Sequence, residues 1–126
     1  MHKGYTLNYF INYFSSIPDH QWCTGSEQLE IYGKPTVQHC ALGHARRNAR
    51  TTLERTNKSC FARVTALEHF LDGNTADIND DGASFGHLGK TPRGRILKAL
   101  RNRQKYGNFN GKHAEAPDYN YDSGNY

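Results

Sequence analysis

Apolar residues recur at helical spacing in four segments of the chain. The first covers residues 6–16, where the spacing i, i+3, i+4, i+7 places four side chains on one helical face: Leu7, Phe10, Ile11 and Phe14. Thr6 precedes this face and is a suitable N-cap. Pro18 cannot continue a helix and disfavours helical backbone at Ile17. The sequence therefore predicts a helix that ends shortly before the proline.

The second and third segments show the same periodicity. Residues 40–55 carry small apolar residues suited to close helix packing: Ala41, Leu42, Ala45, Ala49 and Leu53. Residues 60–71 repeat apolar side chains at intervals of four, three and four: Cys60, Val64, Leu67 and Leu71. Ser59 is the expected N-cap of this third helix and Gly73 its expected C′ residue.

The fourth helix has the most specific start signal. Thr91 followed by Pro92 gives an N-cap and a proline at the first helical position. Three residues then face inward: Ile96, Leu97 and Leu100. The last turns carry cations that complement the helix dipole: Arg101, Arg103 and Lys105.

Two stretches lack helical periodicity. Residues 19–39 are irregular, with Trp22 as the expected anchor on the core, and residues 30–32 and 36–38 could form a short hairpin that lies against the helices. Residues 74–90 are polar and glycine-rich and are predicted to form a loop.

Together these patterns predict a mostly α fold: a four-helix single domain in residues 1–105, with a short β-hairpin as an option. Residues 106–126 shift to Tyr, Asn, Gly and Asp without periodicity, which predicts a flexible tail. The apolar fraction of 36% and the mean hydropathy of −0.87 are low for a compact chain of 126 residues and agree with such a tail.

Charge and cysteine content limit the partners and the cellular compartment that we expect for this chain. The net charge of +4 and pI of about 9.0 permit an anionic partner without forming the dense basic stripe of a dedicated DNA-binding protein. No apolar run approaches the ~18 residues of a membrane span, and the N-terminus does not read as a signal peptide. Three cysteines cannot all pair within one chain. We therefore predict a cytoplasmic protein without membrane association, in the host cytoplasm if phage-encoded.

Two groups of residues could have a catalytic or binding role, and for each of them a purely structural role is at least as simple. Cys40 at a helix entrance with His44 one turn later could form a nucleophile–base pair, because a helix N-terminus lowers a thiol pKa. A buried cysteine acting as a small apolar residue is the alternative. Tyr5, Tyr9 and Tyr13 form a stripe that either covers the core or stacks on bases.

Two metal sites are conceivable. Soft zinc ligands occur at Cys23, Cys40 and His44, with His39 and His20 nearby, but their spacing matches no zinc motif. The second set resembles the start of an EF-hand calcium loop through Asp77, Asn79, Asp81 and Gly82, although Leu88 occupies the position of the bidentate glutamate. The alternative is that these side chains cap and turn their own loop. Asp80 could also hydrogen-bond buried backbone groups of the neighbouring loop. We predict no cofactor and no metal.

Anion binding is the favoured chemistry. Lys90, Thr91, Arg93 and Arg95 surround the N-terminus of the fourth helix, where backbone N–H groups and the dipole attract phosphate. Arginines are unfavourable at that end, so a bound anion would offset them. Arg46 and Arg50, with Arg47 between them, could extend this surface. The alternative is a solvated basic face.

The ordered motifs resemble a family of small bacterial and phage proteins classed as a domain of unknown function. The resemblance covers about residues 9–103 and rests on Trp22-Cys23-x-Gly25, Cys40-Ala41-Leu42-Gly43, Asn79-Asp80 and a helix like residues 95–100. The chain has Ile78 where the family usually has Trp, and His44 where it usually has Ala, so a Cys40–His44 mechanism would not be family-wide. The resemblance implies a helical fold and a phage-borne context, and it carries no activity. Trp22, Asn79 and Asp80 are further ligand-binding candidates.

We therefore predict a small non-enzymatic protein that binds an anionic, nucleotide-like ligand or a host protein, and so sequesters a nucleotide signal or blocks a host defence factor. Two alternatives stay open. The first is a hydrolase or transferase that depends on Cys40. The second is a nucleic-acid-binding protein that uses the tyrosines and arginines. Oligomeric state is not predicted, and a homo-oligomer is one option.

Overall fold

The predicted mostly α fold is confirmed. A computed structural model describes residues 5–25, 28–30, 37–46 and 58–111 of the chain. Its elements, in chain order, are α1 (Leu7–Ser15), a 3₁₀ turn (Asp19–Gln21), β1 (Gln28–Glu30), β2 (Val37–His39), α2 (Ala41–Ala45), α3 (Lys58–Phe70), α4 (Thr75–Asp80), a second 3₁₀ turn (Gly86–Leu88) and α5 (Pro92–Tyr106). No described helix combines the length and the apolar character that crossing a membrane requires.

The first helix begins and ends where the sequence predicts. The Thr6 hydroxyl accepts a hydrogen bond from the Tyr9 amide at 3.1 Å, which caps α1. Phe10 and Phe14 are fully buried on its inner face, where they join the apolar residues of α3 and α5. The anchor prediction for Trp22 is also confirmed, since the indole is buried and stacks edge-on against Phe14.

The hairpin is confirmed with shifted strands. β1 pairs antiparallel with β2, so that Gln28 lies opposite His39 and Glu30 opposite Val37. The predicted strands, residues 30–32 and 36–38, overlap these only in part, and residues 31–36 lie outside the described residues. On its other side, His39 forms a parallel bridge with Trp22. β2 therefore connects the hairpin to the segment that follows α1.

The second predicted helix is shorter than expected. α2 ends at Ala45 with Arg46 as its C-cap, and residues 47–55 of the prediction are not among those the structure describes. α3 begins at Lys58, so Ser59 is inside the helix rather than its N-cap. The C-terminal turn of α3 is a Schellman motif, with hydrogen bonds from Gly73 N to Glu68 O at 2.8 Å and from Asp72 N to His69 O at 3.3 Å. Asp72 thus occupies C′ at φ 53°, one residue before the predicted glycine.

The polar stretch 74–90 is not a continuous loop. Residues Thr75–Asp80 form α4, and the helix places Ile78 in the core with no exposed surface. Burial of Ile78 explains a helix that has too few apolar residues to show helical periodicity. The prediction of a loop across this segment is wrong for α4 and for the 3₁₀ turn at Gly86–Leu88.

The last helix has the predicted start and packs along α1. The Thr91 hydroxyl accepts from the Gly94 amide at 3.0 Å, and Pro92 is the first helical residue. The predicted tail starts at residue 106, yet α5 continues to Tyr106 and the next turn folds back on the helix. Asn102 Nδ2 donates to the Phe109 carbonyl at 3.0 Å, and the Phe109 ring is buried. Residues 112–126 lie outside the described residues.

Candidate functional site

Arg95 is a buried residue that contacts backbone. Its side chain is only 4% exposed. Nε donates to the carbonyl of Ile78 at 2.8 Å and Nη2 to that of Asn79 at 2.7 Å, while Nη1 lies 3.4 Å from the Gly89 carbonyl. The carbonyls at the end of α4 have no partner inside the helix and carry the negative end of its dipole. The guanidinium therefore caps α4.

Arg93 has the same role at α1. Its Nη2 donates to the carbonyl of Ser15, the last residue of α1, at 2.8 Å. Its Nε is buried and has no hydrogen-bond partner in the described part of the chain. The positive charges of Arg93 and Arg95 at the start of α5 are thus balanced by backbone carbonyls of α1 and α4. The unfavourable charge noted in the sequence does not require a bound anion.

Two further arginines repeat this arrangement. Arg63 Nε donates to the carbonyl of Ala45, the last residue of α2, at 2.7 Å. Arg103 Nη1 donates to the carbonyl of Phe70, the last residue of α3, at 3.1 Å and lies 3.8 Å from an Asp72 carboxylate oxygen. We call Arg63, Arg93, Arg95 and Arg103 the capping arginines. Between them they contact the C-terminal carbonyls of α1, α2, α3 and α4.

The rest of the predicted anion site is dispersed or outside the described residues. Lys90 and Thr91 are exposed, and the Thr91 hydroxyl is engaged as the N-cap of α5. Arg46 is half-buried at the end of α2, and Arg50 is outside the described residues. The structure therefore does not bring the predicted set together around one ligand position.

A different basic surface lies on the outer side of α5. Lys98, Arg101 and Lys105 are all exposed and follow the spacing i, i+3, i+7, which places them on one stripe. Lys98 and Arg101 make no hydrogen bond or ion pair with any residue that the structure describes, and Lys105 Nζ lies 5.3 Å from the ring centroid of Tyr106. We call these three residues the basic face. The sequence showed their charge but not their separation from the capping arginines.

Asn79 connects three chain segments. The side chain is fully buried. Its Oδ1 accepts from the Ala41 amide at 3.0 Å, and its Nδ2 donates to the Cys23 carbonyl at 2.8 Å and to Asp80 Oδ1 at 2.7 Å. The sequence predicts that Asp80 hydrogen-bonds buried backbone groups, but Asn79 makes these contacts. Of the motif residues named as ligand-binding candidates, Asn79 and Trp22 are thus buried, and only Asp80 is exposed.

His44 is held as a buried, neutral imidazole. The ring is 5% exposed, and its Nε2 lies 2.9 Å from the Gln21 carbonyl oxygen, which fixes Nε2 as the donor. Burial, with a smaller contribution from nearby His39, lowers the pKa of His44 from 6.5 to about 4. An imidazole of this pKa is a weak general base at neutral pH. Cys40 is also buried, as the N-cap of α2. The geometry thus offers little support for the catalytic alternative.

Neither metal alternative is built in the described residues. Their His, Cys, Asp and Glu side chains form no group of three that could hold an ion. Asp77 and Asn79 lie on the helix α4 rather than in a calcium loop. Asp81 Oδ1 accepts from the amides of Ala83 at 3.1 Å and Ser84 at 2.9 Å, and the hydrogen bonds from Ser84 are the main reason that the pKa of Asp81 is lowered. Asp81 therefore turns its own loop, as the structural alternative predicted.

The tyrosine stripe covers the core. Tyr5, Tyr9 and Tyr13 are half-buried and pack against it, and the rings of Tyr9 and Tyr13 stack on each other with centroids 6.1 Å apart. The Tyr13 hydroxyl donates to the His44 carbonyl at 2.6 Å. A base could not stack on Tyr13 without disturbing these contacts.

Comparison with known proteins gives no match: no family model, no curated protein and no solved structure is similar to the chain. The resemblance to small bacterial and phage proteins remains a prediction from the motifs.

Proposed function

We propose that this chain is a non-enzymatic binding protein for an anionic macromolecule, and that the basic face of α5 contacts the phosphates of a nucleic acid. One observation carries this proposal. The basic face presents three exposed cations on a single helical stripe, of which Lys98 and Arg101 have no anionic partner in the described part of the chain. A helix surface of this kind favours phosphate contacts that do not read base sequence.

The length of the basic face suits a backbone rather than a single phosphate. Lys98 and Lys105 are seven residues apart, which corresponds to about 10 Å along a helix axis. Cations spread over that distance can contact successive phosphates of one strand. The proposal is therefore one of electrostatic, sequence-independent binding.

A small nucleotide at the N-terminus of α5 is the second candidate. The dipole at this helix end and exposed Lys90 favour it. Pro92 has no N–H, however, and the Gly94 amide already donates to the Thr91 hydroxyl. Arg93 and Arg95, which would supply most of the charge, instead donate to carbonyls of α1 and α4. We therefore rank this candidate below the nucleic-acid proposal.

The salt dependence of binding provides the test. Three phosphate contacts predict a slope of log K against log salt of about −2.7 for duplex DNA and about −2.1 for a single strand. Between 50 and 200 mM salt, duplex affinity would then fall on the order of 40-fold. Fluorescence anisotropy with labelled duplex and single-stranded oligonucleotides measures both slopes.

Matched charge reversals locate the surface. Arg101→Glu should weaken binding and reduce the slope by about 1, because it removes one phosphate contact. Lys58→Glu changes net charge equally at an exposed position on α3 and should leave the slope unchanged. Equal losses in the two variants, or no binding at 50 mM salt, would refute the proposal. Binding of a mononucleotide that is lost in Lys90→Glu alone would favour the second candidate.

The biological setting expected from the resemblance is a separate proposal. A phage-borne protein that blocks a host defence factor could act by covering a nucleic acid or by binding a host protein. Pull-down from host lysate with and without nuclease treatment separates these two routes. A partner that persists after nuclease treatment would identify a host protein rather than a nucleic acid.

A further inference from the structure

Two buried cysteines occupy neighbouring positions on two extended segments. Trp22 and His39 form a parallel bridge, and the Cys23 amide donates to the His39 carbonyl at 3.0 Å. Cys23 follows Trp22 and Cys40 follows His39, so in this parallel arrangement they are the next pair in register. Neighbouring strands lie about 4.8 Å apart. A disulfide spans Cα atoms that are about 4.4–6.8 Å apart.

The side chains of this pair lie on a common face. The rings of Trp22 and His39 both pack against His44, with centroids 4.7 Å and 5.1 Å from it. Side chains along an extended chain alternate between its two faces. Cys23 and Cys40 therefore share the opposite face, and both are buried, at 5% and 6% exposure.

Asn79 fixes the main chain beside both cysteines. Its amide donates to the carbonyl of Cys23 and accepts from the amide of Ala41, the residue after Cys40. A single rigid side chain thus sets the spacing of the two segments at the pair. From the register, the shared face and this clamp, we infer that the two thiols lie close enough for a disulfide to form.

We propose that Cys23 and Cys40 form a reversible dithiol–disulfide pair whose oxidant is a low-molecular-weight disulfide such as oxidised glutathione. One cysteine thiolate attacks the glutathione disulfide, so that a mixed disulfide forms and one glutathione thiolate leaves. The second cysteine then attacks the protein sulfur and releases the second glutathione. The protein loses two protons and two electrons, and one glutathione disulfide becomes two glutathione thiols.

The bond would respond to redox state and would stabilise the fold. It closes the chain between residues 23 and 40, which restricts the unfolded state. Oxidised protein should therefore show a Tm several degrees higher than reduced protein. Cys60 is buried on α3, outside the two bridged segments, and has no part in the reaction.

The test uses the full chain equilibrated in glutathione buffers of increasing oxidising strength. Acid quenching, alkylation and peptide mass mapping then report the state of each thiol. We expect a loss of 2 Da and a linked peptide that joins Cys23 to Cys40, with Cys60 still alkylated. The Cys60→Ala variant should form the disulfide at the same midpoint redox potential as the wild-type protein. The Cys40→Ala variant should yield at most a glutathione adduct.

Three outcomes would refute the pair. The first is a chain whose thiols all stay reduced in the most oxidising glutathione buffer. The second is a disulfide that involves Cys60. The third is a linked dimer in place of the internal bond. The wild-type map decides these outcomes even if a cysteine variant does not fold.

Discussion

The capping arginines and the basic face have the same charge but opposite surroundings. Arg95 is buried and its guanidinium donates to carbonyls of Ile78 and Asn79. Arg101, less than two turns further along α5, is exposed and makes no hydrogen bond or ion pair in the described part of the chain. Cations in this protein therefore stabilise helix ends at one set of positions and remain available to a partner at another. Mutations at the two sets should separate stability from binding.

The largest expected effect is at Arg95. Arg95→Met keeps an apolar stem but leaves the buried carbonyls at the end of α4 without their donor, which should lower the free energy of unfolding by about 3 kcal/mol. Lys98→Met is the matched control on the exposed side of the same helix and should change it by less than about 0.5 kcal/mol. Urea denaturation followed by circular dichroism measures both. Equal effects would contradict the division between the two sets of cations.

The contrast of buried and exposed groups extends to His44, where we expect the next largest effect. Its pKa is about 4 in the folded protein. As the pH falls from about 6.5, the unfolded state therefore takes up the proton first. The neutral His44 side chain therefore contributes to the free energy of unfolding above pH 6.5. This contribution, on the order of 2 kcal/mol after discounting for partial solvent screening, is lost as the pH falls towards 4.

Urea midpoints between pH 7.5 and 4.5 test this pH dependence. His44→Gln retains a donor for the Gln21 carbonyl and should flatten the loss of stability on acidification. His87→Gln, which replaces an exposed histidine, should keep the wild-type slope. The same slope in all three proteins would show that His44 does not control acid sensitivity.

The smallest effect is expected at Arg103, which is only partly buried. Its hydrogen bond to the Phe70 carbonyl is one of the four helix-end contacts, but water can replace it more readily. Arg103→Met should therefore cost about 0.5–1 kcal/mol, well below Arg95→Met. If Arg103→Met lowered the free energy of unfolding as much as Arg95→Met, the strength of a capping contact would not depend on the burial of its arginine. The same urea titrations give the ranking.

Local signals predicted some elements, and tertiary contacts determined others. The starts of α1 and α5 are defined by Thr6, Thr91 and Pro92. These residues act through hydrogen bonds or ring geometry within a few residues, so the sequence predicts both starts. Helix α4 depends on the burial of Ile78 and on a guanidinium 16 residues away from Asn79, which no local pattern contains. The sequence accordingly predicts a loop there.

The sequence predicts the chemical character of the candidate site better than it predicts which groups its residues contact. The excess of arginine at the start of α5 is a genuine local conflict, but carbonyls of other helices resolve it instead of a phosphate. The exchange of Asp80 for Asn79 has a chemical cause. The position must donate to the Cys23 carbonyl and accept from the Ala41 amide. An amide side chain does both, whereas an ionised carboxylate only accepts.

Asn79 also has a consequence for how the chain unfolds. Its contacts join residues 38 and 56 positions away in the sequence, so they exist only when three segments have docked. Opening α4 removes a partner from both other segments, and opening either of those removes a partner from Asn79. The segment at Cys23, the start of α2 and helix α4 should therefore open as one cooperative unit, and the Ala41 amide should exchange its hydrogen as slowly as the core of that unit.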